Sequence, residues 1–206
     1  MDSIIFDLDG TLWDSTEVVV VGWNSVLSSY TEIGNEITKD DLKGIMGLQV
    51  AEVGRKLFPN LEEHIQEKIL SECCAMECQY LAEQGGRLYE ELEAVLQTLS
   101  SKYKLFIVSN CQAGYIEAFY KYHQLDKYFT DFENPGRTGL SKGENIKLIM
   151  QRNNLTNPVY VGDTEGDQKA AAFAGIPFVF ASYGFGSVSR ADFTINRLKD
   201  LVELFN

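Results

Sequence analysis

The stretch Ser3-Ile4-Ile5-Phe6-Asp7-Leu8-Asp9-Gly10-Thr11 sets the reading of the whole chain. A short apolar run gives way abruptly to two carboxylates, a glycine and a threonine, which is how a buried strand ends in a functional loop. In an open parallel sheet ligands lie beyond the carboxyl ends of the strands, so Asp7 and Asp9 stand where a substrate is held. Residues two apart on extended chain point the same way, which lets both carboxylates face one pocket while Leu8 turns into the core. Two neighbouring carboxylates repel each other unless a cation or a shared proton intervenes. The spacing therefore asks for a metal ion, a general acid, or both.

Working outward, strand and helix alternate from about residue 89 onward. Lys104–Val108 is the strongest parallel-strand pattern and ends at Ser109-Asn110; Pro158–Val161 runs into Gly162-Asp163-Thr164-Glu165-Gly166-Asp167. Helices are expected at 90–99, 113–122, 142–151 behind a Ser141 cap, 165–174 and 197–204. Further strands are expected near 128–132 and 178–180, with a glycine-containing loop over 134–139. This alternation predicts a doubly wound parallel α/β sheet, a Rossmann-like core. Residues 15–83 instead show helical spacing with no strand. They read as a helix over Val18–Leu27 capped by Ser15 or Thr16, a turn at Gly34-Asn35, a helix start at Thr38–Asp41, a loop between Gly44 and Gly47, and helices at 50–57 and 61–82. The expected organisation is an α/β core of residues 1–14 and 84–206, with a small helical cap of residues 15–83 inserted after the first strand. Gly85-Gly86 supplies a joint that can bend.

Asp7-Leu8-Asp9-Gly10-Thr11 resembles the first motif of the haloacid dehalogenase superfamily, in its phosphatase and phosphomutase branch. Later residues follow in the same order as in that family: Ser109 at a strand end, Lys142, and Asp163 and Asp167 after another strand. The resemblance covers residues 1–13 and about 85–186. It implies that Asp7 attacks phosphorus to form an aspartyl-phosphate, and that Asp9 protonates the leaving alcohol and then takes a proton from the attacking water. It implies magnesium held by Asp7, Asp163 and the backbone carbonyl of Asp9, with Asp167 outside the direct contacts. Ser109 and the amide of Asn110 would hydrogen-bond phosphoryl oxygens, and Lys142 would neutralise charge on Asp7 and the phosphoryl group. Members that attack carbon generally lack the second aspartate, so Asp9 argues against a dehalogenase. Many relatives follow the lysine with proline, where this chain has Gly143. Taken singly, the same residues have plainer readings: Asp9 as the cap of a turn, Lys142 as a surface lysine, Asp167 as a charge at a helix N-terminus.

The function implied is magnesium-dependent hydrolysis of small phosphate monoesters, with a helical cap that closes over the site. A sugar phosphomutase on the same core and a catalytically silent module that senses phosphate are the alternatives. Trp13, the loop from Gly44 to Leu48 and Arg55 are candidates to touch the leaving group. Tyr183-Gly184-Phe185-Gly186 reads equally as a mobile loop meeting the cap or as a flexible connection.

Composition narrows the partners. A net charge of −12 argues against nucleic acid or an anionic membrane surface, which demand clusters of Lys and Arg. The most apolar charge-free stretch, Ala170–Ala181, is broken by Gly175 and Pro177 and is too short to span a bilayer. With the first strand beginning at residue 3 there is no room ahead of it for a signal segment, and a cytoplasmic protein is expected, monomeric or a weak homodimer. Cys73, Cys74, Cys78 and Cys111 form no extracellular framework and read as small apolar residues. His64 and His123 have no partner in the pattern and receive no role.

Overall fold

Period-two alternation along the strands divides the interior of the molecule in two. Ile4, Phe6, Leu105, Ile107, Val159 and Val161 belong to one buried cluster, whereas Ile5, Phe106, Val108 and Tyr160 belong to another. Alternate side chains thus face opposite sides of one sheet, as the near-continuous apolar runs require when both faces are covered. The computed structural model describes all residues except Glu32, Asn35, Gln49 and Asn206, so the turn expected at Gly34-Asn35 lies partly outside the described residues.

The main sheet contains β1 (Ser3–Phe6), β4 (Lys104–Val108), β5 (Asp131–Glu133), β6 (Pro158–Gly162), β7 (Phe178–Ala181) and β8 (Phe193–Ile195). Its order is β5-β4-β1-β6-β7-β8, parallel throughout. On one face α8 (Lys142–Arg152) and α9 (Glu165–Ala174) bury Ile146, Ile149, Ala170 and Ala171. On the other lie α5 (Leu92–Ser100), α6 (Tyr115–His123) and α10 (Asp200–Leu204). This is the doubly wound α/β arrangement read from the sequence.

Between the first strand and the remainder come α1 (Thr16–Leu27), α2 (Lys39–Lys43), α3 (Val50–Leu57) and α4 (Glu63–Gln84). The chain leaves and returns through β2 (Trp13–Asp14) and β3 (Arg87–Leu88), which pair antiparallel as a two-residue ribbon. Gly86 sits where any Cβ would lie 2.8 Å from the Trp13 ring and 3.0 Å from Ser15 Cα, so the second crossing can press against the first only as glycine.

Local differences from the sequence reading have local causes. The strand expected at 128–132 is β5 at Asp131–Glu133, preceded by a 3-10 turn at Asp126–Tyr128. The loop at 134–139 contains a short helix, α7 (Pro135–Thr138), because Asn134 caps it and proline suits its first position. The closing helix is shorter than expected, and β8 takes residues that were left unassigned.

Candidate active site

β1, β4 and β6 end within one residue of one another, since Phe6 pairs with Ile107 on one side and Val161 on the other and both neighbours run one residue further. Asp7, Ser109 and Asp163 consequently emerge together at the carboxyl edge of the sheet. The Asp7 amide continues the ladder by donating to Val161 O at 2.8 Å.

Lys142 begins α8 behind a Ser141–Glu144 capping box and turns its side chain inward. Its Nζ lies 2.9 Å from Asp7 Oδ1 and 2.6 Å from Asp167 Oδ1, and all three side chains are buried. It is thus no surface lysine. Two carboxylates raise its pKa despite the opposing effect of burial, so it remains charged. Gly143 admits this helix: a Cβ there would lie 2.7 Å from the Phe173 ring on α9, which accounts physically for glycine at this position.

Asp167 performs two tasks. Its Oδ2 accepts from the amides of Asp163 and Thr164 at 3.1 and 2.9 Å and from Thr164 Oγ1 at 2.7 Å, completing the capping box of α9. Its Oδ1 holds Lys142. The reading as a helix-terminal charge and the reading as a site residue therefore both apply.

Asp7, Asp163 and Asp167 each bring a carboxylate oxygen within 4.8 Å of the others, the one such grouping among the described residues. Burial and the negative charge of Asp167 push the Asp7 pKa up, against the pull of Lys142. Asp163 is raised for the same reasons, burial first and then Asp167 and Asp7. One lysine faces three acids. Asp163 Oδ2 accepts from the Phe185 amide at 2.6 Å, while Asp163 Oδ1 is buried with no hydrogen-bond partner. Gly10, at φ +80°, and Gly184 approach so closely that a Cβ on either would collide with the Asp163 carboxylate. A buried, partnerless carboxylate oxygen among excess acids is a donor set that suits a hard divalent cation.

The Asp9 carboxylate is held apart from this cluster. Its Oδ1 accepts from Trp13 Nε1 at 2.9 Å, Ser15 Oγ at 2.6 Å and Tyr115 OH at 2.7 Å. Burial raises its pKa, while the Ser15, Tyr115 and Trp13 hydrogen bonds act the other way. Its anchors therefore come from the β2 crossing and from α6, beside the ribbon, and it does not merely cap a turn.

A cavity opens over Asp7 and Asp9, floored by Ser109, Asn110 and Cys111 and walled by the α1–α4 segment. Asn110 Nδ2 donates to Gly47 O at 2.8 Å and ties the sheet edge to the loop before α3. Ile45, Met46, Gly47 and Leu48 line the cavity, as expected of that loop. Trp13 and Arg55 do not: Trp13 is buried against Tyr115, Phe119 and His123, and Arg55 is exposed on α3. Tyr183-Gly184-Phe185-Gly186 meets the core instead of the helical segment, with Tyr183 OH donating to Thr11 O at 2.9 Å. Cys111 is buried, its thiol pKa raised by burial and by nearby Asp9 and Asp7, so it packs and does not react.

Sequence reasoning missed Tyr115, Gln112 and Glu77, and named Phe185 only as part of a loop, without its hydrogen bond to Asp163. Glu77 on α4 is buried and accepts from Trp23 Nε1 at 3.2 Å and Gln112 Nε2 at 2.9 Å, and burial pushes its carboxyl up to about 8. Its partners are 54 and 35 residues away, so no local pattern marks it.

Comparison with known proteins completes the picture. The sequence profile of the haloacid dehalogenase-like hydrolase family matches residues 4–181. A phosphoglycolate phosphatase of Vibrio parahaemolyticus is 24% identical, over 98% of this chain and 94% of its own length. The pyrophosphatase PpaX of Bacillus mycoides is 23% identical, over 100% and 97%. Among solved structures, a haloacid dehalogenase-like hydrolase from Bacteroides fragilis superposes with a TM-score of 0.84 at 24% identity, covering 98% of this chain and all of that one, a likeness of fold.

Proposed function

The chain belongs to the haloacid dehalogenase-like hydrolases, and on that premise we propose that it is a magnesium-dependent phosphatase of small phosphate monoesters working through an aspartyl-phosphate on Asp7. The observation that carries this reading is the Lys142 ammonium bonded to both Asp7 and Asp167 beside the three-acid cluster, at the open ends of β1 and β6. Relatives named for phosphoglycolate and for pyrophosphate share the reaction class and differ in substrate, so they support the chemistry more than any one ester.

Lys142 fixes Asp7 through Oδ1, which orients the second oxygen for attack on phosphorus and opposes the burial that raises its pKa. The Ser109 hydroxyl and Asn110 amide, at the end of β4 and in the cavity floor, receive phosphoryl oxygens. Asp7 and Asp163, with the carbonyl of Asp9, would hold the metal, which supplies charge neutralisation between the acids and the phosphoryl group, while Asp167 stays beyond the direct contacts and holds Lys142. Asp9, its pKa raised, delivers a proton to the leaving oxygen and recovers one from the water that cleaves the intermediate. Its anchors, Trp13, Ser15 and Tyr115, join the crossing into residues 15–83 to the core, so closure of that segment as a cap would release or aim this carboxylate. The cap itself excludes bulk water from the first step.

Release of inorganic phosphate from p-nitrophenyl phosphate and a panel of natural monoesters, with and without magnesium, tests the reading. Magnesium-dependent release that vanishes in Asp7→Asn is expected. Wild type and D7N equally inert across the panel would refute it, and an isomerised ester in place of free phosphate would replace hydrolysis with phosphoryl return.

A further inference from the structure

The wall of the cavity that faces Asp7 is apolar. Trp23, Leu42, Ile45, Met46, Val53 and Leu70, drawn from all four helices of the inserted segment and the loop after α2, make up most of it. Its acidic groups are Asp7, Asp9 and Glu77, and among the described residues no lysine, arginine or histidine lines it. Lys142 and Lys169 line a different groove, which shares Met46, Gly47, Leu48 and Asn110 with this one, and Lys142 is engaged by two carboxylates. A leaving group bearing a second negative charge would give up its water for this apolar wall, where no basic side chain receives it. That is unfavourable by desolvation.

Glu77 is the polar exception in the wall. Trp23 Nε1 and Gln112 Nε2 both donate to its Oε2, and its Oε1 accepts from no group among the described residues. Burial holds this carboxyl mostly uncharged near neutral pH, so it can donate and accept, as a hydroxyl partner requires. The space measures about 70 Å³, room for roughly half a dozen water-sized groups.

Resting on the phosphatase reading, we infer that the cavity selects small phosphate monoesters whose leaving alcohol has no second anionic group, lays an apolar body against the Trp23–Val53 wall and offers a hydroxyl to Glu77. Glycolate and phosphate, the groups released from phosphoglycolate and pyrophosphate, carry the anion that this wall disfavours. Glu77 is a specificity residue in this account, remote from the phosphorus.

Three esters of matched branching test it: 2-phosphoglycolate, isobutyl phosphate and propane-1,2-diol 1-phosphate, assayed with magnesium alongside p-nitrophenyl phosphate. The two uncharged leaving groups are expected to exceed 2-phosphoglycolate in kcat/KM by about tenfold or more, with the diol ester ahead of isobutyl phosphate. Glu77→Leu is expected to abolish the lead of the diol ester chiefly through KM, and Glu77→Gln, which keeps an uncharged donor and acceptor, to retain it. If 2-phosphoglycolate matches or surpasses both, the substrate inference falls while the phosphatase reading stands. An unchanged diol-to-isobutyl ratio in folded E77L overturns the role of Glu77. No turnover of any of the four esters removes the inference together with the reading beneath it.

Discussion

Replacing Lys142 by methionine keeps the bulk of the side chain and removes the one ammonium bonded to the acid cluster. At 2.9 and 2.6 Å from its two carboxylate partners, each contact is worth about 6 kcal/mol of gross attraction at an effective dielectric of about 20. Desolvation of the buried ions offsets most of that, and removal of one partner from a buried pair typically costs about 3–5 kcal/mol, because the remaining charges are stranded. The loss should depend on pH. Lys142, with its pKa raised, stays protonated across pH 5 to 8 in the wild type, so its own titration contributes nothing in that window. Asp7 and Asp163 have raised pKa values when folded, so the unfolded state releases their protons first and stability falls as pH climbs from the ordinary carboxylate range toward neutrality. Without Lys142 these values rise further and the fall steepens. Urea unfolding of K142M against wild type should therefore show the full 3–5 kcal/mol or so at pH 8, a smaller loss at pH 5, and partial recovery in magnesium at pH 8. A loss below about 1 kcal/mol at pH 8, or one indifferent to both pH and magnesium, would refute the assignment of Lys142 as the counter-ion of the cluster.

Asp9→Asn is expected to slow turnover by about 10²–10⁴ while magnesium affinity measured by calorimetry stays nearly unchanged; unaltered turnover would show that the acid is elsewhere. Gly10→Ala places a Cβ at φ +80° against the Asp163 carboxylate, so a loss of at least about 1–2 kcal/mol in stability and a marked loss of magnesium affinity are expected in the same preparations. Glu77 is buried with its carboxyl raised from 4.5 to about 8, so between those pH values only the unfolded state is ionised and folding loses stability as pH rises, up to a ceiling of about 5 kcal/mol. Glu77→Gln removes that titration: it should match wild type near pH 4.5 and gain on it steadily to pH 8, and parallel stability curves would contradict the buried, protonated state.

The α/β order and the acid-bearing strand ends were legible because they are local. Apolar runs at Ile4–Phe6, Leu105–Val108 and Val159–Val161 announce buried strands, and each is followed at once by Asp7, Ser109 or Gly162-Asp163. Lys142 was legible only as part of an ordered motif, since nothing in its own neighbourhood distinguishes a lysine at a helix start from one that turns inward over 135 residues to Asp7. The ribbon of Trp13–Asp14 with Arg87–Leu88 was not legible, because two-residue strands lie below the length at which alternation can be seen. Neither was the seat of Asp9. Tyr115 reaches it from 106 residues away, and Trp13, read as a substrate contact, donates its indole N–H to that carboxylate. Glu77 carries no local signal, because its burial arises from the packing of α1 and α6 against α4.

The account stands on the covalent step at Asp7. Acid-quenching the magnesium-loaded enzyme during turnover of a good ester, then mapping peptides by mass spectrometry, would locate any phosphoryl group. A phosphoryl adduct on the peptide that contains Asp7, lost in Asp7→Asn and accumulating in a variant slowed in the hydrolytic step, is the predicted result. Rapid single-turnover phosphate release with no adduct at any quench time, or an adduct mapped to another residue, would contradict it.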